Sequence, residues 1–169
     1  MPGTSSIHEF GRGAGAAYPV VPHTPAYNAQ EEAAVAHLPS RAWAKVVVCL
    51  VEGEPIQAVV PAPLAVNLDR LLELTGGSTI RLAVEDELRR LYPDREPGAI
   101  PPFGPICGQP VFVDVALAAE PEIVFNGGSH AEAIRIRWTD FATTVRPIVG
   151  RFAGPPLDKV GEFRLSYRE

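Results

Sequence analysis

Six consecutive residues, Val46–Val51, constrain this chain most: they are apolar and mostly β-branched, without a polar break. A run of that kind reads as a strand buried on both faces. The strand is predicted over Arg41–Glu52, with Gly53 and Pro55 turning the chain into a hairpin partner over Ile56–Val60. A strand covered on both faces needs layers above and below it. The chain has 169 residues, 46% of them hydrophobic and 21% charged, which is enough for one domain with its own core.

The remaining elements alternate in type. Tyr18–Val21 opens a short strand. Asn28 as N-cap with Glu31 three residues on predicts a helix to Leu38, ended by Pro39-Ser40. Asn67 or Asp69 starts a helix through Leu71, Leu72 and Leu74, stopped by Gly76-Gly77. Short strands are predicted at Thr79–Leu82, Val111–Val115 and Ile123–Phe125, and a helix over Val84–Tyr92. Ala133–Trp138 sets Ile134, Ile136 and Trp138 against Arg135 and Arg137, a half-buried strand. Thr139 is the expected cap of a last helix through Val145, and Phe163–Tyr167 carries a weak strand signal. Hairpins mixed with crossovers favour an α+β fold with a mixed sheet over a doubly wound parallel one.

Several classes fall away. The longest apolar stretch, Ala58–Val66, holds two prolines and is far short of the roughly 20 residues of a membrane span. Glu9 and Arg12 interrupt the first residues, so no signal peptide is expected. Cys49 and Cys107 lack CxxC spacing and read as free thiols rather than a zinc site or disulfide frame. No GxGxxG, HExxH or DxDxDG motif occurs, and His8, His23 and His37 have no metal spacing. No metal, organic cofactor or DNA partner is therefore expected. Net charge is −5, against the basic footprint of an autonomous nucleic-acid binder. Residues 130–169 nonetheless carry 7 basic and 5 acidic side chains. They leave room for a local basic face near Arg135, Arg137, Arg146 and Arg151, or simply for a solvated strand face. Glu85-Asp86-Glu87 reads as a solvated helix face.

Three features stand out as chemistry. Lys45, one of only two lysines, adjoins the most apolar strand. It is either an anion anchor or activated amine in a pocket, or a strand-start residue snorkelling to solvent. Gly98-Ala99-Ile100-Pro101-Pro102-Phe103-Gly104 brackets a double proline with glycines. Such a loop is stiff and lets backbone approach a ligand, unless it is only a rigid connector. Asn126-Gly127-Gly128-Ser129-His130 ends a strand in a glycine turn whose amides suit an oxyanion or phosphate, or which is only a hairpin turn.

In order along the chain stand His23–Tyr27 with Gln30-Glu31, Ala44–Val48, Val59–Ala62, Arg81–Ala83 with Glu85 and Glu87, Tyr92-Pro93-Asp94, Glu96–Gly104, Pro110–Asp114, Ile123–His130 and Asp140-Phe141. Together these segments resemble the YbaK/ProX family of aminoacyl-tRNA deacylases, the domain also found inserted in bacterial prolyl-tRNA synthetases. The resemblance runs from about Tyr18 to Phe152. It divides the chain into a flexible segment 1–17, an editing domain 18–152 and a C-terminal extension 153–169. It implies a compact mixed β-sheet, partly barrel-like and flanked by helices, and a cytoplasmic enzyme without cofactor. It implies hydrolysis of the ester between a small amino acid (alanine, cysteine or serine) and the 3′ end of a non-cognate tRNA, tRNA-Pro among the candidates. A synthetase such as prolyl-tRNA synthetase is the implied partner. A synthetase pocket separates side chains differing by one methylene by only about 1–3 kcal/mol, so a second sieve has physical sense.

By the same resemblance the catalytic positions are Lys45, Gly98, Pro102, Gly127 and Gly128. Tyr27, Asn28, Ile100, Pro101, Phe103, Asn126, Ser129 and His130 are the substrate-lining positions. Asn28 stands where the family often has threonine, and Arg95 where it often has cysteine. Three other readings compete: a non-catalytic module that binds tRNA ends or a synthetase, a Ser/His esterase acting through Ser129, and a structural domain with no pocket, in which Lys45 would be paired in a tight core.

Overall fold

The computed structural model of the chain describes residues 20–22, 39–95, 100–102, 108–127 and 132–155. The expected helix at Asn28–Leu38, the strand signal at Phe163–Tyr167 and Cys107 lie outside them. Ten strands are described: β1 Val20–Pro22, β2 Ala44–Val51, β3 Glu54–Pro61, β4 Ala65–Val66, β5 Ile80–Leu82, β6 Val111–Asp114, β7 Glu122–Asn126, β8 Glu132–Arg137, β9 Ile148–Gly150 and β10 Ala153–Gly154. Four α-helices accompany them: α1 Leu68–Thr75, α2 Glu85–Leu91, α3 Val115–Ala118 and α4 Trp138–Val145.

The apolar run forms the centre. β2 and β3 pair antiparallel from Ala44↔Pro61 to Val51↔Glu54. A two-residue turn joins them, with φ positive at both Glu52 (50°) and Gly53 (84°), the backbone twist that tight hairpins favour. Glu52 tolerates this while its carboxylate accepts from the Ser78 amide at 2.8 Å and the Ser78 hydroxyl at 3.0 Å. The hairpin sits in a five-stranded sheet of order β5-β2-β3-β6-β9. β3–β6 and β6–β9 are parallel and the other pairs antiparallel. A second sheet has order β1-β8-β7, and β4 pairs with β10. A single parallel bridge, Trp43↔Val124, links the two larger sheets. The fold is thus the expected mixed α+β, with a curled sheet system that is not closed.

Strand alternation separates two cores. Ala44, Val59, Val111 and Val113 face Ile123, Phe125, Ile134, Ile136 and the α4 residues Phe141 and Val145. Cys49, Ile56, Ala58, Val60 and Phe112 face Leu68 and Leu71 of α1 together with Phe152. The α1 boundaries are those the sequence marks: the Asn67 side chain accepts from the Arg70 amide, and Gly76 ends the helix at φ 74°.

Four expectations are corrected. Ser40–Ala42 forms a 3-10 turn, so the strand predicted from Arg41 starts at Ala44. Val115 leaves its strand because Asp114 caps α3, accepting from the Ala116 amide at 3.0 Å. Thr139 is not a cap: α4 begins at Trp138, directly after β8, and the Trp138 amide donates to Pro121 at 3.0 Å. The basic face is half neutralised, since Arg135 pairs with Glu122 at 2.9 Å and Arg137 with Asp140 at 3.2 Å. The short elements β4, β9, β10 and α3 were not expected, being too brief to show a period.

Candidate functional site

Lys45 is the second residue of β2, opposite Val60. Alternation puts it on the α1 side of the sheet, with Val47, Cys49 and Val60. It is half-buried. No carboxylate or carbonyl among the described residues pairs with its ammonium, and burial holds its pKa below the usual lysine value. The isolated parallel bridge Trp43↔Val124 lies just before this lysine, and Lys45 and Asn126 each stand two residues beyond that bridge, on strands of different sheets. Asn126 is 7% exposed, and its Oδ1 accepts no hydrogen bond. Gly127, next along, is buried. A half-buried cation and a buried amide carbonyl, neither with a partner among the described residues, thus stand near the point where the two sheets part. Buried polar groups are normally satisfied, so such a pair marks a place for a ligand.

The proline-rich segment approaches from the other face. Ile100 packs with Val48 and Tyr92. The Pro101 carbonyl accepts from Gln57 Nε2 at 3.2 Å. Pro101 and Pro102 are buried. The described residues thus place Lys45 two residues, and Asn126 with Gly127 two and three residues, beyond the bridge that joins their chains, and hold Ile100, Pro101 and Pro102 on the other face of the β2–β3 hairpin from Lys45. Tyr27, Asn28, Gly98, Phe103, Gly128, Ser129 and His130 lie outside the described residues.

Sequence reasoning missed Gln57 and Gln109, and gave Tyr92 no role. A glutamine within β3 carries no local sign that it faces inward. Among the described residues no group of three or more His, Cys, Asp or Glu side chains is placed to hold a metal ion. No described helix is long and apolar enough to cross a membrane. Cys49 is a buried free thiol whose pKa burial raises to about 12, which leaves it inert as a nucleophile.

No curated protein matches the chain. Solved structures do. A crystal structure of a hypothetical protein superposes with a TM-score of 0.80 at 20% identity, covering 88% of this chain and 99% of that one. A proposed trans-editing enzyme for prolyl tRNA synthetase superposes with 0.79 at 21% identity, covering 91% and 98%. A proposed signal transduction protein from Marinobacter aquaeolei VT8 gives 0.70 at 14% identity, covering 88% of this chain and 30% of that one. At these identities the likeness is one of fold. The sequence itself matches the family model of the aminoacyl-tRNA editing domain over residues 23–144, most of the chain, from before β2 into α4. The chain belongs to the aminoacyl-tRNA editing domain family.

Proposed function

We propose that the chain is a trans-acting hydrolase that removes a small amino acid, such as alanine, cysteine or serine, from a non-cognate tRNA, with tRNA-Pro as one candidate. The observation that carries this reading is the half-buried Lys45 ammonium, without a partner among the described residues and close to the bridge that leads on to Asn126, in a chain whose family edits aminoacyl-tRNA. Residues 18–152 form the editing domain on this reading, between the segment 1–17 and the extension 153–169.

The substrate offers one labile ester, a ribose hydroxyl beside it and a phosphate. Lys45 anchors the 3′-terminal nucleotide by that phosphate or by the ester oxygens. An approaching anion favours the charged form of the lysine and so opposes the effect of burial. Water adds to the ester carbonyl, the bond to the ribose oxygen breaks, and a free amino acid and a tRNA hydroxyl result. The negative charge that develops on the carbonyl oxygen needs amide donors. Pro101 and Pro102 have no N–H, and the Pro101 carbonyl is engaged by Gln57. Donors from this loop are therefore limited to Gly98, Ala99 and Ile100, with Gly127 and Gly128 from the glycine turn. Asn126 and His130 order the attacking water or line the pocket, and the ribose 2′-OH assists. Tyr27, Asn28, Ile100, Phe103 and Ser129 bound the amino-acid side. The net charge of −5 gives weak RNA affinity, which docking on a synthetase such as prolyl-tRNA synthetase offsets in the cytoplasm.

The test is a panel of tRNAs charged with Ala, Cys, Ser, Thr and Pro, with ester loss followed against a protein-free control. Selective loss of one or two small aminoacyl groups is expected. No acceleration by folded protein overturns the reading in favour of a binding module. Activity abolished in Ser129→Ala overturns it in favour of a Ser/His esterase.

A further inference from the structure

A buried polar network among the described residues lies on the other face of β2 from Lys45, against the proline-rich segment. Gln57 Nε2 donates to the Pro101 carbonyl at 3.2 Å and to the Tyr92 hydroxyl at 3.3 Å. The Tyr92 hydroxyl in turn donates to Gln109 Oε1. The Gln57 backbone amide donates to the Pro110 carbonyl at 3.0 Å. Gln57 and Tyr92 are each 1% exposed and Gln109 is 8% exposed. The chain of bonds has one direction. A carbonyl cannot donate, so Pro101 requires the nitrogen end of the Gln57 amide. That leaves Gln57 Oε1 buried without a donor. A leucine fills similar space in an apolar core and carries no such penalty. The polarity at Gln57 thus costs stability and fixes position. It grips the proline-rich segment before it at Tyr92, within it at Pro101 and after it at Gln109 and Pro110.

From this we infer that Gln57, through Tyr92 and Gln109, is a positioning residue that holds the Ile100–Pro102 segment in its reactive placement. The inference rests on the proposed deacylation for its kinetic consequence, not for its structural one. Displacing reacting groups by as little as about 1 Å lowers turnover by up to about 100-fold.

The experiment compares full-length wild type, Gln57→Leu and Tyr92→Phe. Steady-state kinetics use whichever charged tRNA of the panel the wild type deacylates. Thermal unfolding and amide hydrogen exchange over residues 96–107 are measured on the same samples. For Gln57→Leu, kcat is expected to fall roughly 10-fold or more with KM within about twofold. Tm should change little, because the unsatisfied Oε1 is removed while the Pro101 carbonyl loses its donor, and exchange over 96–107 should accelerate. Tyr92→Phe keeps the Gln57–Pro101 bond and is expected to lose less. Wild-type kcat in Gln57→Leu, or a loss that only follows a falling Tm, overturns the inference. If the wild type deacylates nothing, the proposed function fails separately. Exchange then decides alone, and unchanged protection over 96–107 in Gln57→Leu overturns the positioning role.

Discussion

Asp114 on β6 and Lys45 on β2 are both charged groups set into the same five-stranded sheet, and their surroundings are opposite. Asp114 is 3% exposed and fully employed. Its Oδ1 accepts from the Phe152 and Ala153 amides, each at 2.8 Å, and its Oδ2 from the Ala116 amide at 3.0 Å. Through it the C-terminal segment closes against the core. The Phe152 carbonyl continues the link by accepting from the Asn67 amide at 2.7 Å, at the start of α1. Lys45 is only half-buried, yet among the described residues nothing answers its charge. Beyond the Trp43–Val124 bridge, Asn126 Oδ1 is also without a donor. The difference teaches where to look for chemistry. A buried charge whose every valence is filled is architecture, whereas a sheltered charge left open awaits a ligand.

The comparison breaks first at Asp114. Asp114→Leu keeps the branched shape but leaves three amides, one buried and two part-buried, without their acceptor, each worth about 1–3 kcal/mol. A loss of about 3 kcal/mol or more is expected in chemical denaturation. Deacylation per folded molecule should stay near wild type. Unchanged stability would remove Asp114 from the architecture.

Lys45→Met should do the reverse. Deacylation is expected to fall about 100-fold, or about 2.7 kcal/mol of barrier, while Tm holds or rises because a partnerless ammonium is gone. The pH dependence has a defined sign. The folded-state pKa of Lys45 lies below its unfolded value of 10.5, so the unfolded chain holds the proton over that interval. The cost of burying the charge is present at neutral pH and is relieved as pH rises through the folded pKa. Wild type should therefore gain on Lys45→Met as pH rises towards 10.5, which parallel melting curves would show. Wild-type deacylation by Lys45→Met would instead make Lys45 a snorkelling surface group.

The smallest effect sharpens the contrast with ordinary surface charge. Glu87 is half-buried at the surface, and its pKa is lowered to about 2, first by the Arg81 guanidinium at 2.7 Å and then by the Val84 amide. A carboxylate with a depressed folded pKa contributes stability present above its unfolded pKa and lost as pH falls through the folded one. Here that window runs from 4.5 down to about 2. Arg81→Ala should raise the Glu87 pKa in an NMR titration and hardly move Tm at neutral pH. A large drop in Tm would show that the pair holds more than itself.

Much of the fold was legible because it rests on local signals. The apolar run of β2, the Asn67 and Gly76 boundaries of α1 and the Ile134/Ile136 alternation of β8 are readable within a few residues of chain. What escaped has no local signal. Thr139 looks like a cap, but the β8–α4 junction leaves no room for one. Strands of two or three residues such as β4 and β9 exist only because a neighbour pairs with them. Gln57 reads as a polar position on a strand, and only the arrival of Tyr92 and Pro101 turns it into a buried anchor. Lys45 was legible as an anomaly, and the glycine turn after Asn126 as a motif. The Trp43–Val124 bridge that brings their two chains together was not.

The sequence by itself determined the longer elements and their order, the family, and the placing of one lysine within the most apolar strand. The tertiary structure decided which charges are satisfied. Side chains alternate faces with a period of two, so a one-residue slip of β2 against β3 would exchange every inward and outward position. The register observed puts Lys45 with Val60 on the α1 face, and the Trp43–Val124 bridge joins its segment to the one that carries Asn126. Whether a buried group finds its partner depends on distances between segments far apart in the chain, and those distances exist only once the sheets have formed.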